Sequence, residues 1–162
     1  MKGIVAFDSF HGCTKLVAEA IAEQLGKEGH EVQLINLRDS VPAGVKGDFL
    51  FVGSPTRGGK PSKETTAFID GLDSSWNGKP AAVFDTIGPL SKDEEKRKQT
   101  IANISSSWGK NAASRLSEQC SGKGLRVIGM LHAPVVGMWG PLAPEGQEMG
   151  REFAHKMAAS LK

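Results

Sequence analysis

Cysteine is scarce in this chain and tyrosine is missing altogether. The two cysteines, Cys13 and Cys120, stand far apart in a sequence of 162 residues. That spacing excludes both a disulfide framework and a cysteine-rich metal site. No apolar run approaches the roughly 20 residues of a membrane-spanning helix. The N-terminus lacks a signal-peptide layout, since Lys2 is followed by a short apolar run and then by polar residues. A reducing cytoplasm is the compartment this predicts. Neither sign of charge dominates, the formal net charge being +2. The densest charged stretch, Lys92-Asp93-Glu94-Glu95-Lys96-Arg97-Lys98, mixes both signs and carries no aromatic residue. A nucleic-acid surface is therefore not expected. What the chain does have is 39% apolar residues, enough for a single domain over residues 1–162 with one core.

Strand-like and helix-like segments alternate along it. Ile4–Phe7, Phe49–Val52 and Ala81–Phe84 are continuously apolar, the pattern of parallel strands covered on both faces. Glu31–Ile35 places Glu31 and Gln33 between apolar neighbours and reads as an edge strand, and Leu125–Met130 as a fifth strand. Cys13–Leu25 sets Val17, Ala20, Ile21 and Leu25 on one helical face. Ser62–Leu72 predicts a helix with Ala67, Phe68 and Leu72 in the core, and Asn111–Cys120 another. Glu145–Leu161 closes the chain, with Met149, Phe153, Met157 and Leu161 spaced by four. Strands alternating with helices predict an α/β fold with a doubly wound parallel sheet. Ligands in such sheets sit beyond the carboxyl ends of the strands.

The segment after the first strand carries the chemistry. Asp8-Ser9-Phe10-His11-Gly12-Cys13-Thr14 links an apolar strand to a helix start. Backbone N–H groups at a helix start lack intrahelical partners and sit at the positive end of the macrodipole. Ser9 and Thr14 add hydroxyl donors. The loop lacks the second glycine and the lysine of a P-loop. Its single glycine, Gly12, does not meet the three-glycine pattern for a pyrophosphate. Glu19 stands where a cysteine phosphatase would need arginine. A loop of hydroxyls and amides suits a terminal monophosphate. His11 can sense phosphate charge, act as an acid, or simply face water. Cys13 can be an activated thiol at a helix N-terminus, or a small residue offering its N–H.

Val5 to Ile21, with Ser9, Gly12, Thr14, Ala18 and Ile21 at the matching positions, resembles the FMN-phosphate signature of flavodoxins. Asp48-Phe49-Leu50-Phe51-Val52-Gly53-Ser54-Pro55-Thr56 is similar to the third strand and following flavin loop of that family, and Ala81-Ala82-Val83-Phe84-Asp85-Thr86 to the fourth strand and its loop. Gly140-Pro141-Leu142, then Glu145-Gly146, resembles the lead-in to the last helix of some members. The resemblance implies a five-stranded sheet in the order 2-1-3-4-5 and FMN as cofactor. It assigns Ser9, Phe10, His11, Gly12, Cys13 and Thr14 to the phosphate. Ser54, Pro55, Thr56, Arg57, Gly58 and Gly59 fall to the flavin ring, and Asp85, Thr86, Ile87 and Gly88 to its other edge. It implies an electron carrier working between partner proteins, a reductase or an electron acceptor. Thr56-Arg57-Gly58 also resembles the loop of flavodoxin-like NAD(P)H:quinone oxidoreductases, which makes NAD(P)H a second candidate partner. A phosphoacceptor receiver is the poorer match, since Asp8 stands alone and Gly53-Ser54 follows the third strand.

The missing tyrosine matters most here. Flavodoxins usually stack an aromatic ring on the flavin from one of these two loops, where this chain has Arg57 and Ile87. Trp108 and Trp139 are candidates for a lid, against the commoner role of a core or surface anchor. The polar stretch Leu90–Lys110 reads either as a flap over the flavin or as a solvated helix. His132 is placed after the fifth strand, facing the crevice or serving structure. Arg57, Lys60 and Lys63 against Glu64 make the second loop basic, which favours an acidic or anionic partner.

Overall fold

The computed structural model describes residues 1–106 and 111–161. Five strands, β1 (Lys2–Phe7), β2 (Glu31–Asn36), β3 (Phe49–Pro55), β4 (Pro80–Ile87) and β5 (Arg126–Pro134), form one sheet in the order β2-β1-β3-β4-β5. Every pairing is parallel. The helices are α1 (Cys13–Lys27), α2 (Lys63–Asp70), α3 (Glu94–Ser106), α4 (Ala112–Gly122) and α5 (Gly146–Ala158). None of the helices among the described residues is long and apolar enough to cross a membrane.

The apolar runs become strands because alternate residues feed two separate cores. Ile4 and Ala6 of β1, Leu50 and Val52 of β3, and Ala81 and Val83 of β4 pack with Phe68, Ile69 and Leu116 beneath α2 and α4. Val5, Phe7, Phe49, Phe51, Ala82 and Phe84 point the other way, onto Val17, Ile21, Phe153 and Met157 of α1 and α5. β2 has no such double cover. It lies at the sheet edge, and Leu34 is 40% exposed.

Three strands run past their apolar stretches. β3 continues through Ser54 and Pro55, β4 through Asp85, Thr86 and Ile87, and β5 through His132 to Pro134. The polar members are buried and hydrogen-bonded to neighbouring elements, so the ladder goes on where the hydrophobic pattern stops. His132 therefore belongs to β5 and does not follow it. In α2 the buried stripe is Thr65, Phe68 and Ile69, with Leu72 just beyond, spaced as one helical face. Ala67 lies off that stripe and faces solvent, contrary to the expectation from sequence.

Over the described part of Leu90–Lys110 the chain forms α3, fastened to the start of α5. Arg97, 3% exposed, donates from Nε and Nη2 to the two carboxylate oxygens of Glu145 at 3.0 and 2.7 Å. Its Nη1 donates to the carbonyls of Ser91 and Lys92 at 3.2 and 2.7 Å. Trp108, with Ser107, Gly109 and Lys110, lies outside the described residues.

Two measurements follow from this packing. A Cβ on Gly53 would come within 2.1 Å of the buried Phe84 ring, so Gly53→Ala is expected to destabilise by about 1–3 kcal/mol in urea denaturation. Wild-type stability in that variant would contradict the packing. The bonds from Arg97 hold the Glu145 carboxyl below its ordinary value of 4.5. A lowered folded-state pKa adds stability above the unfolded value, lost as pH falls through the folded one. Glu145→Gln should therefore be less stable than wild type at pH 7. The difference should shrink once the pH passes below 4.5, the group's ordinary value. A constant difference across that range would contradict the ion pair.

Candidate functional site

β1 is followed in sequence by β2 on one side of it and paired with β3 on the other, so the direction of winding changes between β1 and β3. A crevice opens at that point, beyond the carboxyl ends of the strands, where doubly wound sheets hold ligands. Its walls come from four loops: Ser9, Phe10, His11, Cys13 and Thr14 after β1; Pro55, Thr56 and Arg57 at the end of β3; Thr86 and Gly88 at the end of β4; and Val135, Gly137, Met138 and Trp139 after β5. It is a shallow crevice, open to solvent, with a cavity volume of about 90 Å³.

The floor of the crevice is the start of α1. Gly12 precedes the helix at φ 92°, a left-handed conformation natural to glycine. Its amide donates to Ser9 Oγ at 3.0 Å, and its carbonyl accepts from the Leu16 amide at 3.1 Å. No side chain caps α1, whereas α2 and α4 are capped by Ser62 and Asn111. The amides of Cys13, Thr14 and Lys15 come before Leu16, the first amide to donate within the helix, and remain as donors. Thr14 Oγ1 and Thr86 Oγ1, both buried, lie 2.7 Å apart. One hydrogen bond between two hydroxyls leaves the second proton for another acceptor. The Ser9 hydroxyl, accepting from Gly12, likewise keeps its proton to give. Amides and hydroxyls without a committed acceptor, at the positive end of a helix, are a donor set for a compact anion. The Cys13 thiol is pushed above its usual range by burial, which outweighs the hydrogen bond from the Leu142 backbone. It is a neutral lining group and not an activated thiolate.

The second and third loops divide between crevice and support. Pro55, Thr56 and Arg57 line the opening, while Gly58 and Gly59, at φ 58° and 76°, form the tip of a tight hairpin. Arg57 and Lys60 exchange two backbone hydrogen bonds of 3.0 Å around that tip, and Arg115 Nε donates to the Gly59 carbonyl at 2.9 Å. Positive φ at both central residues is the geometry that closes a two-residue hairpin. Ser54 turns away from the crevice, accepting from the Ser62 amide at 2.9 Å ahead of α2. Asp85 also turns away and is fully buried. Its Oδ2 accepts from Thr56 Oγ1 and from the Ala113 amide, each at 3.0 Å, and its Oδ1 lies 2.8 Å from His132 Nδ1. Thr86 and Gly88 line the crevice, but Ile87, 8% exposed, packs inward. The third-loop segment thus contributes Thr86 and Gly88 to the opening and uses Asp85 and Ile87 to build the wall behind it.

One residue of the constellation carries no sequence signal. Arg38, in the loop after β2, donates from Nε and Nη2 to both oxygens of the fully buried Asp8 at 2.9 and 2.6 Å. It also reaches Glu64 of α2 at 3.2 Å. Its guanidinium lies 4.2 Å from the centroid of the Phe10 ring, and that of Arg57 lies 4.4 Å from the same centroid. The two contacts pin Phe10 at the mouth of the crevice. Without Arg38, a buried carboxylate would stand unpaired at the head of the loop after β1. A lone arginine in a loop announces none of this.

Fold and crevice together define an open, doubly wound α/β protein with its ligand site at the switch in winding. A protein-family model described as a flavodoxin domain matches residues 4–125, and the chain belongs to the flavodoxin family. No curated protein matches it. Among solved structures it is similar to oxidised flavodoxin 1 of Bacillus cereus, at 22% identity and TM-score 0.73 over 100% of both chains. It is likewise similar to a flavodoxin from the domain Archaea, at 24% identity and TM-score 0.64 over 98% of this chain and 99% of that one. A flavodoxin, WrbA-like protein of Agrobacterium tumefaciens aligns at 17% identity and TM-score 0.64 over 99% of each chain. At these identities the structures speak to the fold.

Replacing Arg38 by Met should cost roughly 2–3 kcal/mol in urea denaturation, because Asp8 is left buried and unpaired. Adding Asp8→Asn to that variant should recover part of the loss. Additive losses in the double variant would show that the two side chains do not act as a pair.

Proposed function

We propose that this chain binds FMN in the crevice and carries electrons between partner proteins. The observation that carries the reading is the convergence of four loops, distant in sequence, on one opening floored by the uncapped start of α1. The residues fit the cofactor. Ser9, Gly12, Cys13 and Thr14 would hold the 5′-phosphate through amides and hydroxyls, with Thr86 completing the hydroxyl pair. Pro55, Thr56 and Arg57 on one side and Thr86 and Gly88 on the other would border the ring system. Bound there, the flavin supplies the redox chemistry, and the protein supplies binding, orientation and electrostatics. Ser54 and Asp85 support those walls from behind and do not line the opening. Gly58 and Gly59 keep the hairpin tight, and Ile87 keeps the far wall packed.

The chain's own charges bear on its partner. Arg57 and Lys60 are exposed beside the opening, and Lys63 begins α2 close by. A basic border accelerates encounter with an acidic protein surface and slows encounter with a basic one. The same border supports a second reading, in which the partner is a nicotinamide nucleotide and the protein an FMN-dependent NAD(P)H:quinone oxidoreductase.

The test is direct. Protein purified from an expressing cell should be yellow, and the chromophore released on denaturation should be FMN. Under anaerobic conditions it should oxidise NADH or NADPH only negligibly while accepting electrons from a chemical reductant. Rapid nicotinamide oxidation coupled to quinone reduction would replace the carrier with the enzyme. Colourless protein that ignores added FMN would remove both.

A further inference from the structure

The loop between β5 and α5 supplies a part of the crevice that the family resemblance does not assign. The chain leaves β5 at Pro134 and returns at Ala143, whose amide donates to the Pro134 carbonyl at 2.9 Å. Val135 and Leu142 form an antiparallel bridge, and the Val136 amide donates to the Pro141 carbonyl at 3.0 Å. This base is a short, closed ladder. Its tip runs from Gly137 to Gly140, and both ends of the tip require glycine. A Cβ on Gly137 would meet the Gly140 carbonyl oxygen at 2.2 Å, and Gly140 adopts φ 116° with its Cβ position 3.3 Å from Cys13 Sγ. The narrow tip leaves its two large side chains outside, Met138 at 71% exposed and Trp139 at 60%.

An exposed tryptophan on a braced loop is unusual unless something covers it, since indole is among the largest apolar surfaces a protein can bury. Trp139 leans on His11 of the anion-binding loop, with ring centroids 4.6 Å apart and planes inclined at 59°. It also lines the crevice. The walls at the ends of β3 and β4 present no aromatic ring, only Pro55, Thr56, Arg57, Thr86 and Gly88. Phe10 has a ring at the mouth, but two guanidinium groups already lie against it. Among the described residues lining the crevice, Trp139 is thus left as the large aromatic surface available to a flat ligand.

We propose that Trp139 is a ligand-contacting residue that packs on the flavin nucleotide from the β5–α5 side, in place of an aromatic from the loops after β3 and β4. The proposal rests on FMN as the ligand. His11 would steady the indole, and the glycines at the tip would let it reach the crevice.

Fluorescence titration of the full chain with FMN, and separately with riboflavin, tests it in wild type, Trp139→Ala and Trp139→Phe. Stacked indole quenches flavin emission. Wild type should therefore quench bound FMN strongly, and Trp139→Ala should bind FMN about tenfold more weakly and leave the bound flavin brighter. Trp139→Phe should recover most of the affinity. Near-ultraviolet circular dichroism of the unliganded variants should match wild type apart from the lost indole. If Trp139→Ala binds FMN with unchanged affinity and unchanged quenching, the role of Trp139 is wrong while the FMN reading stands. If wild type binds no FMN, both fall together.

Discussion

The carboxylate of Asp85 draws four elements to one point. It is fully buried, and it accepts from the Thr56 hydroxyl on the loop after β3 and from the Ala113 amide at the start of α4. Its other oxygen meets His132 Nδ1 on β5. Thr56 in turn accepts from the Ala112 amide at 3.1 Å. A buried charge is tolerated only when its lone pairs are filled, and here the partners are the strand ends and helix start that form the back wall of the crevice. The residues beside Thr56 and Asp85 in sequence, Pro55, Arg57 and Thr86, face the opening. Their placement is a consequence of that satisfied carboxylate. The wall is continuous with the floor through the Thr14–Thr86 hydroxyl contact.

A comparable arrangement secures the other side. Asp8 is held by Arg38, and Arg38 with Arg57 fixes Phe10. Asp8 and Asp85 are therefore both buried and hydrogen-bonded, and neither lines the crevice. The positive character of the α1 start is left to act on whatever enters, and the exposed cations at the rim extend it outward. Asp8, Arg38 and Asp85 contribute to this electrostatic pre-organisation from behind the lining of the crevice.

Much of this was legible along the chain, for a definite reason. Ile4–Phe7, Phe49–Val52 and Ala81–Phe84 are covered on both faces, so burial writes itself into unbroken apolar runs. The loop between β1 and α1 is one contiguous segment, strand to helix, and its chemistry is local. The strand ends were not legible, because Ser54, Asp85 and His132 are buried through hydrogen bonds and not through hydrophobicity. Hence the sequence pattern puts His132 beyond β5, whereas the strand includes it, and the Asp85 carboxylate is turned to α4 and His132. Ala67 was misplaced because a short helix offers few turns from which to phase its stripe. Arg38 and Val135 act only through contacts closed by the tertiary fold, and nothing beside them in sequence marks them. Trp139 was visible as a candidate, and what the structure adds is the braced glycine tip that holds it at the opening.

The central claim is that the start of α1 recognises a monophosphate carried on a flat ring system. Calorimetry of the ligand-free protein with FMN and with riboflavin isolates that claim, because the two differ only in the phosphate. One molar equivalent of FMN should bind, with riboflavin at least about a hundredfold weaker, the magnitude of two charge-assisted hydrogen bonds. Equal affinities would show that the floor does not read the phosphate, and the absence of heat with either compound would contradict the account as a whole.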